Sequence, residues 1–216
     1  MNDVWSGRAQ AFRESPSHRE GPDLELLVEM CEPAQGVTVL DVATGGGHVA
    51  RRLRAEGCTV ITVDPAPGMQ PDVIARAEDL PFDDGSFDLV TCRIAPHHFE
   101  DVPAAVAEMA RIAERLVVIE DNLHVDEQVE AAERLRDPTH VRCYSEEEWK
   151  QVLIDAGLEI ERAERLERTR DVDDWLARVE TPSDDAARVR ELLGDRIENG
   201  TMTFPSIVLR ARKSPR

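Results

Sequence analysis

A chain of 216 residues is long enough to bury one substantial core and too short for two ordinary domains joined by a linker. Acidic residues outnumber basic ones 44 to 26, and the formal charge of −18 repels a phosphate backbone, which excludes nucleic acid as an expected partner. Only 4% of residues are aromatic against 41% hydrophobic, so the core must rest on Leu, Val, Ile and Ala, as in a buried parallel sheet.

In chain order, Trp5, Ala9 and Phe12 recur at helical spacing over residues 2–14 and stop at Ser15-Pro16-Ser17, which predicts a short helix lying over a site. Leu24, Leu27, Val28 and Cys31 predict a helix over 22–31, with Asp23 capping its first turn. Residues 37–42 form an aliphatic run between Gly36 and a triple glycine, the pattern of a central strand. A helix over 48–56, closed by Gly57, and a strand over 58–63 complete one βαβ unit. Pro65, Pro67, Gly68 and Pro71 then leave room for a turn and a short strand at 72–76, with no crossover helix.

A strand over 87–94, a helix over 103–113 and a strand over 116–120 continue the alternation. Ser145 with Glu148 three residues on forms a capping box, and Gly157 closes that helix. A strand over 158–168, helices over 172–179 and 185–193, and a final strand over 203–210 follow. This order predicts a single α/β, Rossmann-like domain over 1–216: a mostly parallel seven-stranded sheet, helices on both faces, and an antiparallel C-terminal strand. Residues 1–35 are expected to form a helical cap and 171–200 a helical insertion.

Cys31, Cys58, Cys92 and Cys143 form no Cys-x-x-Cys pair and sit in apolar contexts, so they read as reduced core residues. The first residues lack a basic region followed by an apolar run, and no stretch approaches the roughly 18 apolar residues of a membrane span. A cytoplasmic protein, monomeric or homodimeric, is the expectation.

The segment Val39-Leu40-Asp41-Val42-Ala43-Thr44-Gly45-Gly46-Gly47-His48-Val49-Ala50 ends a strand and opens a helix. Glycine here lets the backbone turn sharply and lets a ligand touch the main chain, while the first N–H groups of the helix offer donors. Asp64 ends the next strand, where a carboxylate can accept two hydrogen bonds from a ribose diol. Taken alone, Gly45-x-Gly47-x-x-Ala50 with Asp64 also satisfies the dinucleotide fingerprint of a nicotinamide-dependent oxidoreductase. Asp41 separates the two readings, because it suits an amino-acid ammonium and would repel a pyrophosphate.

With these come Ala77-Glu78-Asp79-Leu80-Pro81-Phe82, Gly85-Ser86-Phe87-Asp88-Leu89-Val90, Arg93-Ile94-Ala95-Pro96-His97-His98-Phe99, Arg136-Asp137-Pro138-Thr139-His140-Val141 and Trp149. The ordered set, spanning most of residues 18–160, resembles the class I S-adenosylmethionine-dependent methyltransferases, and more closely their ubiquinone and menaquinone biosynthesis-like group. The resemblance implies S-adenosylmethionine as cofactor and a small molecule as methyl acceptor. It implies that Asp41, Ala43, Thr44, Gly45 and Gly47 line the methionine and ribose portion and that Asp64, with Pro65 after it, holds the ribose. Ala77 and Glu78 would flank the adenine, and Arg93 would stand beside the methionine end. Arg76 departs from the family, which usually has an Asp there, and the usual Pro-Gly-Gly turn before the fifth strand is absent. A cofactor-binding protein that transfers no methyl group, or one with a regulatory role, is the alternative.

His97 and His98 are the nearest candidates for a general base, should the acceptor be a hydroxyl or an acidic carbon. Asp121-Asn122 resembles the metal pair of catechol-type methyltransferases, but the third ligand is missing and Arg93 falls near its place, so no metal is expected. His140 suits substrate contact or a helix cap.

Overall fold

The computed structural model describes residues 4–213, so residues 2 and 3 of the first expected helix lie outside the described residues. Helices α1 (Val4–Glu14), α2 (Pro16–Arg19) and α3 (Pro22–Cys31) lead into strand β1 (Thr38–Val42), helix α4 (His48–Ala55) and strand β2 (Thr59–Asp64). A 3₁₀ turn at Pro67–Met69 and a two-residue strand β3 (Val73–Ile74) follow, as the prolines demand. Then come β4 (Phe87–Arg93), α5 (Val102–Ile112), β5 (Ala113–Asn122), α6 (Glu127–Arg136), α7 (Glu146–Asp155) and β6 (Leu158–Asp171). The chain ends with α8 (Val172–Ala177), α9 (Ser183–Leu193) and β7 (Thr201–Lys213).

The seven strands lie in the order β3-β2-β1-β4-β5-β7-β6. Pairing is parallel from β3 through β5, and β7 runs antiparallel to both its neighbours. The order reverses between β1 and β4, and a ligand of such a sheet belongs at the carboxyl ends of those strands. In β1, Val39 packs with α3 and α4 on one face, while Leu40 and Val42 face the α5 and α7 side, which explains why the run reads as continuously apolar. A third cluster joins Val129 and Ala132 of α6 to Trp175, Leu193 and Phe204. All four cysteines are buried and unpaired.

Three local expectations are corrected. The capping position of α3 is Gly21, and Asp23 lies inside the first turn, 2% exposed, where its carboxylate takes the Arg93 guanidinium at 2.5 and 2.9 Å. The strand expected over 116–120 begins at Ala113, immediately after α5, which accounts for the absent Pro-Gly-Gly turn. Helix α6 was not expected from the sequence. Its Asp126 cap accepts from Gln128 and Val129 N–H groups, but its spacing is hidden because Glu130, Glu133 and Arg136 take buried positions that apolar residues usually fill.

The Asp23–Arg93 contact makes a sharp prediction for stability. Removing one partner of a buried ion pair costs about 3–5 kcal/mol, whereas losing a helix cap costs about 1 kcal/mol. Asp23→Ala is expected to give the larger loss in urea denaturation; a loss of cap size would show that Arg93 finds other compensation.

Candidate functional site

The bend after β1 begins with Ala43, whose φ of 53° is unusual for a residue carrying a Cβ, and continues through Gly45 and Gly47, also at positive φ. Asp41 lies beneath it, 1% exposed, accepting the Thr44 hydroxyl at 2.6 Å. Burial raises this carboxyl to about 6. Asp41 therefore shapes the bend from below through Thr44.

Asp64 stands across from it at the end of β2, with Gly45 N–H on Oδ2 and Ala66 N–H on Oδ1, each at 3.0 Å. The nearby Asp64 adds to the upward push on Asp41, and the two carboxylates stand at the ends of the neighbouring strands β1 and β2. Above the bend there is open space: a Cβ on Gly47 would meet nothing within 4 Å, and one on Gly45 only the Ala43 carbonyl at 3.9 Å. A cradle with backbone N–H groups, a carboxylate for a diol and room over two glycines fits an adenosyl amino acid.

On the other side of the rim, Pro65 is exposed and Ala77 is buried among the core residues. Glu78 is partly buried and accepts the Glu100 N–H at 3.1 Å and the Arg76 guanidinium at 3.3 Å. The departure at Arg76 is thus absorbed by Glu78 and Glu100.

Arg93 stands just past β4 in a network of its own. Its side chain, 5% exposed, is committed to Asp23 and to the His18 carbonyl at 2.8 Å, with Glu120 at 4.0 Å, in a network that anchors the N-terminal helices to the sheet.

His97 and His98 come together on a 3₁₀ turn just beyond β4, their rings 4.2 Å apart. The chain reaches that turn through Ile94 at a φ of 51°, a strained conformation for a β-branched residue. His97 is 6% exposed and its Nδ1 lies 2.5 Å from Asp121 Oδ1. Burial pushes the imidazole down to about 3 and the carboxyl up to about 8, so at neutral pH the dyad holds an extra proton and is neutral overall. His98 donates from Nδ1 to the Thr139 carbonyl at 3.1 Å and packs edge-on to Trp5. His140 pairs with Glu130 at 3.1 Å inside the α6 wall, and Trp149 is a fully buried core residue. The would-be metal pair is engaged by protein groups, Asp121 by His97 and Asn122 by Arg170.

Helix α1 roofs both halves of the site. Ser6 Oγ accepts the Gly68 N–H at 2.6 Å, Arg13 donates to the Gly68 carbonyl at 2.6 Å, and His48 Nε2 donates to the Phe12 carbonyl at 3.0 Å. Arg8 reaches Asp137 at 3.0 Å on the far wall, while Ala9 packs on Ala66 and Met69. This close approach needs two glycines: a Cβ on Gly46 would lie 2.9 Å from the Phe12 carbonyl, and one on Gly68 2.5 Å from the Ser6 Cα. Gly68→Val is therefore expected to undock α1, seen as at least tenfold faster amide exchange over residues 4–14, while the sheet stays protected. Unchanged exchange would show that the roof tolerates the displacement. His48, Arg8 and Gly68, which hold α1 in place, carry no motif of their own; their one trace in the sequence is a helix followed by glycines at 46 and 68 that leave room for it.

The profile of a methyltransferase domain family matches residues 12–163. YcgJ of Bacillus subtilis, named as an uncharacterized methyltransferase, is 31% identical over 93% of this chain and 88% of its own length. The crystal structure of that protein superposes with a TM-score of 0.82 at 28% identity, over 90% of this chain and 99% of that one. A demethylmenaquinone methyltransferase of Thermus thermophilus is 37% identical over 38% of this chain and 46% of its own length. Seen with the fold and the cradle, these likenesses have one reading: the chain belongs to the class I S-adenosylmethionine-dependent methyltransferases.

Proposed function

We propose that the protein binds S-adenosylmethionine on the bend Asp41–Gly47 and Asp64 and transfers its methyl group to a small molecule bound beneath α1, beside His97. The observation that carries this reading is the open space above Gly45 and Gly47 next to a carboxylate already oriented by two backbone N–H groups. When bound, the sulfonium supplies an activated methyl, so the protein needs mainly to align donor and acceptor and to exclude water.

The residues divide that work. Asp64 holds the ribose hydroxyls, and Ala43, Thr44, Gly45 and Gly47 shape the surface for the methionine portion. Ala77 and Glu78 face the adenine side, with Pro65 at the open margin. His97 takes a proton from the acceptor at Nε2, with Asp121 fixing the ring through Nδ1. His98, held by Thr139, is a wall against which the acceptor rests. Helix α1 closes over the reacting groups.

The reading of the acceptor as a small molecule is supported by the protein's −18 charge, which opposes nucleic acid. Among the described residues no helix is long and apolar enough to cross a membrane. Calorimetric titration with S-adenosylhomocysteine should show saturable binding, and labelled S-adenosylmethionine with a metabolite extract should release S-adenosylhomocysteine. Binding without release would favour the regulatory alternative, and binding of NAD instead would remove the assignment of the cradle.

A further inference from the structure

The pocket beside His97 has a charge opposite to that of the protein as a whole. Four guanidinium groups line it: Arg136 at the end of α6, Arg168 and Arg170 on β6, and Arg178 just after α8. On a strand, residues two apart share a face, and here Arg168 and Arg170 turn inward while Glu167, Thr169 and Asp171 turn outward.

The partners of these cations do not balance them. Arg136 has Glu133 at 3.5 Å, and Arg168 shares Asp23 and Glu120, each at 3.7 Å, with Arg93. Arg170 reaches the neutral Asn122 side chain, and Arg178 only the Ser17 hydroxyl at 3.0 Å; among the described residues neither has a carboxylate within ion-pair distance. Asp137, the remaining acid of the wall, gives its Oδ1 to Arg8 and Thr139, while its Oδ2 is buried without a hydrogen-bond partner. The Arg168 Nη1 is buried without a hydrogen-bond partner. Burial and mutual repulsion push Arg170 down to about 10 and Arg178 to about 9, and hold His18 beside them neutral. Desolvated guanidinium groups in this state are unfavourable until an anion arrives, and their planar forks match a carboxylate.

Building on the methyltransferase reading, we propose that the methyl acceptor carries a carboxylate, which docks on Arg170 and Arg178 with Arg168 and Arg136 flanking it. The two oxygens of Ser17 that now engage Arg168 and Arg178 are the contacts this carboxylate replaces. With them in place the free space is about 30 Å³, close to one water's share, so binding draws α2 outward as the acceptor enters. The hydroxyl or acidic carbon that receives the methyl lies toward His97, at the opposite end of the acceptor from its anchor.

The test uses the full chain saturated with S-adenosylhomocysteine, titrated calorimetrically with 4-hydroxybenzoate, 4-hydroxybenzamide and phenyl phosphate, alongside Arg178→Gln and Arg170→Gln. The carboxylate is expected to bind at least tenfold more tightly than the amide, and each variant to lose at least tenfold of that affinity while keeping its S-adenosylhomocysteine affinity within twofold. In anion-free buffer Arg178→Gln should melt at an equal or higher temperature than the parent, because it relieves repulsion; a fall of several degrees would mark Arg178 as a structural tie and overturn the proposal. Equal binding of amide and carboxylate, or no saturable binding of any probe, overturns it as well. Tighter binding of phenyl phosphate replaces the carboxylate with a phosphate. Failure of S-adenosylhomocysteine itself to bind would instead overturn the methyltransferase reading, and anion binding measured without it would still judge the arginine pocket.

Discussion

Asp64→Asn is expected to weaken S-adenosylhomocysteine binding about a hundredfold. Two hydroxyls donating to an ionised carboxylate form hydrogen bonds worth about 1.5–3 kcal/mol each, and the amide keeps one acceptor oxygen and turns an N–H group toward the other donor. A loss of about 3 kcal/mol corresponds to roughly two orders of magnitude in affinity. The same substitution weakens the local fold, since Asp64 also accepts the Gly45 and Ala66 N–H groups. Urea denaturation of the variant separates the two effects: stability should fall by about 1–2 kcal/mol, too little to unfold the protein at room temperature. An affinity within threefold of the parent in a folded variant would remove Asp64 from the cradle.

What could be read in advance divides by the range of the interaction. Strands β1, β2 and β4, the capping box at Ser145, and the missing crossover helix after β2 all follow from local rules, and each lies within a few residues of its expected place. The placement of Asp41, the glycines and Asp64 at neighbouring strand ends was legible for the same reason, since the aliphatic runs declare those ends.

The Asp23–Arg93 pair was not legible because the two residues lie 70 positions apart and Asp23 looked like a helix cap. Helix α6 escaped notice because its inward positions carry charges satisfied only by tertiary partners: Glu130 by His140 and the Cys143 N–H, Arg136 by the Trp175 carbonyl. The arginine pocket is assembled from α6, β6 and the segment after α8, and its one local trace is the inward alternation of Arg168 and Arg170. Spacing of i, i+2 was the available signal, masked by a strand in which charged residues dominate both faces.

The proton chemistry at His97 gives the second large effect. As a base, His97 needs its Nε2 lone pair, and therefore Nδ1–H donating to an ionised Asp121. With burial holding the Asp121 carboxyl up at about 8, that form is the minority at pH 7 and grows roughly tenfold per unit until it levels above pH 8. On an acceptor found by the release assay, kcat should rise through a midpoint near 8, and His97→Gln should lower kcat by about 10²–10⁴-fold. The KM should stay within threefold, because the base acts on the reacting proton and the arginines hold the substrate.

Asp121→Asn should abolish the rise near pH 8. Carboxyl-labelled aspartate followed by NMR offers a check that needs no acceptor: one signal should titrate near 8 and vanish in Asp121→Asn. The same shift fixes the sign of a stability effect. An unfolded aspartate ionises near 3.8 and the folded one near 8, so ionisation is penalised only in the folded state, and this group's effect is a loss of stability as pH rises between those values. Asp121→Asn should flatten that slope in urea denaturation. A pH-independent kcat between 6 and 9, together with full activity of His97→Gln, would transfer the base role to His98, whose Nδ1 is already committed to Thr139 and whose Nε2 alone remains to accept a proton.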